Sequence, residues 1–177
     1  MRHPTAALIL ALAGTASPSQ ANHIVINLPP PSIYIAVGSM GATIDTVTFP
    51  LGAQPLGTPV AQLEAPVLIE IAYRRGGNAT PNRVFVTMTP TPAAGLADVS
   101  GTYFVPWTQF SWTSSNNAQL PSGTFTGAPN QALVNFNVPR NRTRFREASF
   151  TYRYNNAITV PVGGTYAGRV TFTASTP

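Results

Sequence analysis

Residues 165–175, TYAGRVTFTAS, alternate without a break: Tyr166, Gly168, Val170, Phe172 and Ala174 fall on one face, and Thr165, Arg169, Thr171 and Thr173 on the other. One apolar and one polar face at period two is the signature of a half-buried strand. Such a strand cannot stand alone. Its apolar face needs a second layer, and its backbone edges need partner strands.

The rest of the chain supplies further candidates of the same kind. They are residues 43–49, 67–73 with Val67, Ile69, Ile71 and Tyr73 inward, 83–89 with Val84, Val86 and Met88 inward, 103–105, 110–113, 124–126, 132–138 with Val134, Phe136 and Val138 inward, and 148–154 with Phe150, Tyr152 and Tyr154 inward. Turn residues separate them, as at 75–78 (RGGN), 90–92 (PTP), 121–123 (PSG) and 155–156 (NN). With 18 Pro and 14 Gly among 177 residues, long helices are disfavoured. Seven to nine short strands with one apolar face each predict an all-β, immunoglobulin-like β-sandwich. A small outer-membrane barrel fits less well, because its strands run about 9–11 residues.

The first residues carry a different signal. Arg2, the apolar run AALILALA at 6–13 and the small-residue site Ser19-Gln20-Ala21 read as an export leader over residues 1–21. No stretch reaches the roughly 20 apolar residues of a membrane helix, so no membrane span is expected. Next comes an arm at 22–31, in which Ile24, Ile26 and Leu28 share one parity before Pro29-Pro30-Pro31. Prolines cannot donate to a strand ladder, so they divide this arm from the next alternating run, Ile33, Ile35 and Val37. The body is then one domain, 32–177. A strand-like arm at one end and a terminal strand at the other invite pairing between subunits.

Without cysteine, an exported domain must be held by burial and backbone pairing alone. The ten basic residues are all Arg, against five acids, but charged residues are only 8% of the chain. That is a polar surface rather than a nucleic-acid footprint, and no nucleic-acid partner is expected. Catalytic chemistry is equally thin. Past the leader the only histidine is His23, at a terminus that cannot hold a base against a nucleophile. Zinc sites need three or four His or Cys ligands, and no loop gathers the oxygen ligands of calcium. Asp45, Glu64, Glu70, Asp98 and Glu147 read as surface or ion-paired acids, Glu70 on an outward strand face, Glu64 in a Pro-flanked loop and Glu147 paired with the arginines before it. The expectation is no enzyme, no cofactor and no metal.

Two features are candidates for surface recognition. The run RNRTRFRE at 140–147 places Arg140, Arg142 and Arg144 where guanidinium forks could hold carboxylate or phosphate, or simply solubilise a turn between two strands. In FVPWTQFSW, Trp107 is a candidate sugar platform, while Phe110 and Trp112 share a parity and read as core. An exported β-sandwich module binding carbohydrate or an anionic surface is thus an alternative function.

The stretches LPSGTFTGAPNQALVNFNV (120–138), ASFTYRYNN (148–156) and ITVPVGGTYAGRVTFTAS (158–175) resemble the C-terminal half of chaperone-usher fimbrial subunits, in the manner of spore-coat-U-like and alternative pilins. Gly164 matches the glycine that precedes the last strand in that pattern. The chain differs from many members in having Thr176 where they carry an aromatic residue, and in having no disulfide.

The resemblance implies a sandwich lacking one strand, completed by an extended arm from the next subunit, and before that by a periplasmic chaperone that hands the subunit to an outer-membrane usher. It makes Ile24, Ile26 and Leu28 the donor residues and places Tyr166, Val170 and Phe172 of the C-terminal strand at the acceptor groove. Burying three aliphatic side chains contributes about 1.5–3 kcal/mol each before ordering costs. It further implies passage through the periplasm to a cell-surface fimbrium with roles in adhesion or biofilm. A solved structure in which each chain is self-sufficient, its own beginning paired alongside its own end with no vacancy left, would exclude this reading.

Overall fold

The computed structural model describes residues 5–11, 31–38, 44–50, 54–78, 80–159 and 164–177. Among the described residues thirteen strands follow one another: β1 (Thr5–Ala11), β2 (Ser32–Val37), β3 (Ile44–Val47), β4 (Val60–Ala61), β5 (Val67–Arg74), β6 (Arg83–Thr91), β7 (Leu96–Asp98), β8 (Phe104–Val105), β9 (Phe110–Ser114), β10 (Gly123–Thr124), β11 (Gln131–Asn137), β12 (Thr143–Tyr154) and β13 (Tyr166–Ser175). The only helical element among the described residues is a 3-10 turn, Trp107–Gln109. No described helix is long and apolar enough to cross a membrane.

These strands form two sheets packed as a sandwich, as the alternation predicts. One runs β11-β6-β13-β1-β3, with β7 continuing the pairing of β13 and β8 pairing β7. The other runs β10-β9-β12-β5-β2, with β4 on the end of β12. Among the described residues all pairings are antiparallel except β1 with β3. The chain changes sheets between β2 and β3, so the first body segment contributes an edge to each layer.

The inward parities meet between the layers. Val84, Val86 and Met88 of β6 and Val170, Phe172 and Ala174 of β13 face Ile69 and Ile71 of β5 and Phe150, Tyr152 and Tyr154 of β12, all buried. Aromatic rings fill one half of this core. Trp112 lies 4.8 Å from Phe125 and 5.9 Å from Phe150, Phe110 lies 5.1 Å from Tyr154, and Phe49 lies 5.4 Å from Phe110. Centroid separations of this size add to area burial through edge and offset contacts, which suits a domain with no disulfide.

Local departures from the simple alternation have local causes. β11 carries a bulge between Ala132 and Val134, so Leu133 enters the core at 6% exposure while Val134 is only partly buried. A bulge inserts one residue and resets the parity; Phe136 and Val138 still point inward. Strand β6 runs through Pro90 rather than stopping at residue 89. Proline is tolerated there because β11 has ended opposite Met88, leaving β13 as the only partner at that point. Strand β12 begins at Thr143, not at residue 148, so most of the arginine run is strand and only residues 139–142 turn.

Candidate functional site

The C-terminal strand is flanked by two neighbours of different origin. On one side β6 pairs it from Arg169↔Thr91 to Ser175↔Phe85. On the other side lies β1, antiparallel over its whole length from Thr5↔Thr173 to Ala11↔Ala167. β1 in turn pairs β3 in parallel, from Ala7↔Ile44 to Leu10↔Val47. The strand between β13 and β3 is therefore drawn from the apolar run that the sequence reads as the heart of a leader. Both parities of TAALILA are apolar, so nothing in its pattern marked it as a strand of the body.

Register identifies the residues that line this slot. Ala6 stands opposite Phe172, Leu8 opposite Val170 and Leu10 opposite Gly168. Val170 and Phe172 are fully buried and Tyr166 is 1% exposed, so these three groove candidates belong to the inward face of β13. Beyond the slot, Val47 and Phe49 are buried, and Glu64 Oε2 accepts a 2.7 Å hydrogen bond from the Thr48 amide. Glu64 thus fastens the end of the β3 edge instead of lying free in its loop. The arm residues Ile24, Ile26 and Leu28, like His23, lie outside the described residues.

Gly168 is the one residue of the inward parity without a side chain, and Trp107 fills the space it leaves. A Cβ there would lie 2.9 Å from Trp107 Cζ2 and 2.6 Å from Leu96 Cδ2. The indole is 1% exposed, and its Nε1 donates to the Pro92 carbonyl at 2.5 Å. Trp107 is therefore core and cannot be a sugar platform. Its aromatic bulk is committed to Phe110 at 5.9 Å and Phe125 at 5.7 Å. Phe110 and Trp112 are buried as their shared parity predicts. Gly164, just before β13, adopts φ +149°, a conformation that side-chain-bearing residues rarely take, which gives the glycine in the sequence pattern a backbone reason.

The arginine candidates divide. Arg140, Arg142 and Arg144 are exposed, and Arg140 Nη1 donates to Asn78 Oδ1. Arg144 and Arg146 take the parity of Ala148 and Phe150, pointing toward the end of the sandwich, whereas Glu147 takes the other. The pairing of Glu147 with these arginines fails for that reason. Glu147 instead stands in register with Glu70, and its amide donates to Gln119 Oε1 at 3.0 Å. Glu70 is on the outward face but only 8% exposed. Burial, and secondly Glu70, raise the Tyr34 pKa on that face. Asp98 closes its own loop, accepting from the Ser100 hydroxyl at 2.6 Å and from the Thr102 and Tyr103 amides at 2.9 Å. These bonds, the Ser100 hydroxyl first and the Tyr103 amide next, lower its pKa.

Among the described residues no group of three His, Cys, Asp or Glu gathers to hold a metal. Comparison with family models, curated proteins and solved structures found no match to this chain.

Proposed function

We propose that the chain is the precursor of a structural subunit of a bacterial surface fimbria, which polymerises by donor-strand exchange and serves adhesion or biofilm formation. The observation that carries this reading is the pairing of residues 5–11 with both β13 and β3. In the uncut chain the slot is closed in cis by residues 5–11, which by itself counts against strand exchange; if the leader is cut near residue 21, that strand leaves with it. The mature sheet then has a vacancy one strand wide, walled by Val170 and Phe172 and bordered by two unpaired backbone edges. An extended peptide is the natural occupant, with backbone hydrogen bonds supplying affinity and alternate side chains supplying register.

The arm supplies such a peptide. Ile24, Ile26 and Leu28 have the spacing of Ala6, Leu8 and Leu10, and the triple proline ends the strand where the arm would leave its neighbour. Before assembly the same vacancy is what a periplasmic chaperone would cover before delivery to an outer-membrane usher. Exposed strand edges are hazardous unless covered, so a chaperone is the expected companion of this design.

The experiment is to export the full chain from a bacterial host, determine the N-terminus of the product by mass, and compare it with a variant lacking residues 22–28. A mature N-terminus near Asn22, heat-stable ladders for the parent and their loss in the deletion support the reading. Retention of residues 5–11 in the exported protein would refute it, because the sheet would then be closed in cis. Monodisperse monomer in both forms would refute it equally.

A further inference from the structure

The end of the sandwich where β12 outruns β9 holds a groove of about 430 Å³, within the range of small-ligand sites. Phe136 of β11 and Arg146 of β12 form its floor, with the guanidinium 4.7 Å from the ring centroid. Gln119, Asn135, Asn137 and Arg144 line the walls. Arg146 is fixed as well as stacked: its Nη1 donates to the carbonyls of Gln119 at 2.7 Å and Ala118 at 3.2 Å. An arginine has five N–H donors, and no acceptor among the described residues meets those on Nε and Nη2. Arg144 beside it likewise has no hydrogen-bond or ion-pair partner among them. The two like charges sit close enough that, after burial, Arg144 is the next cause lowering the Arg146 pKa.

We infer that this groove binds a carboxylated saccharide, whose acid group bridges Arg144 and the open donors of Arg146. Two adjacent cations with no acid on their side of the strand define the ligand's charge. Carboxamides on the walls suit sugar hydroxyls, and the exposed Phe145 adds an apolar ring to the lining. A concave, amide-lined cleft favours a saccharide over a lipid headgroup layer, which would be met by a convex basic face. The inference does not depend on whether the chain polymerises.

The test uses the full purified chain with oligogalacturonate, its methyl ester and phosphatidylglycerol vesicles as probes. Binding of the acid, at least tenfold weaker in Arg144→Gln and restored in part by Arg144→Lys, is the expected result. Arg153→Gln removes the same charge nine residues further along β12, roughly 30 Å away at strand rise, and should bind as the parent does. Equal affinity for the acid and its ester would overturn the inference. So would equal losses in the Arg144→Gln and Arg153→Gln variants, tighter retention on vesicles, or no binding by the parent.

Discussion

Replacing Gly168 by Ala places a methyl group where the structure has Leu96 and Trp107. In a strand interior, an added Cβ ordinarily stabilises by about 0.4–1 kcal/mol through the unfolded state. Here the methyl would stand 2.6 Å from Leu96 Cδ2 and 2.9 and 3.0 Å from two indole carbons. Carbon contacts are optimal near 3.5–4.0 Å, so neighbours must retreat by somewhat under 1 Å. Leu96 can rotate its terminal methyl. The indole cannot yield as easily, because its Nε1 is tied to Pro92 O and its ring is held by tilted and edge contacts with Phe110 and Phe125.

Overpacking of this kind costs about 1–3 kcal/mol, which outweighs the entropic gain and fixes the sign as destabilising. For a domain of this size the melting temperature should fall by about 3–10 °C in thermal unfolding followed by near-ultraviolet circular dichroism. In the Gly168→Ala background, Leu96→Ala should cost less than it does alone, since the two side chains compete for one space. A melting temperature equal to or above the parent's would refute the placement of Trp107 against β13, and with it the exclusion of Trp107 from surface recognition.

Two smaller perturbations probe other joints. Gln62 is buried, donates from Nε2 to the carbonyls of Glu64 and Ala65, and accepts the Tyr152 amide. Gln62→Ala strands that amide and should cost about 1–3 kcal/mol in chemical denaturation, against near neutrality for exposed Gln54→Ala. The depressed Asp98 pKa means that its contribution is present above the ordinary carboxylate range and is lost as pH falls through the folded-state value. Amide exchange at Thr102 and Tyr103, corrected for intrinsic rates, should accelerate on acidification, and Asp98→Asn should remove most of that pH dependence.

The alternation in β5, β6, β12 and β13 was legible because period two is a property of the backbone, and it separated the inward from the outward residues of those four strands. Phe110, Trp112, Phe150 and Tyr154 went inward as their parity required. Leu133 did not follow, since a bulge is decided by what the partner strand opposes and not by the bulged residues alone. Trp107 was equally beyond reach: its burial depends on Gly168, 61 positions later, leaving room on another strand.

The sequence by itself determined the class of fold, the absence of a disulfide staple and the inward identity of Val170 and Phe172, all of which follow from composition and local periodicity. Only the tertiary structure decided that a leader-like heptapeptide stands between β13 and β3, and that Arg146 lies over Phe136 from the opposite sheet. Both are meetings of residues on different strands, beyond the reach of any one strand's alternation. Periodicity fixes which face a residue presents, whereas the neighbour it meets is settled by sheet order and packing.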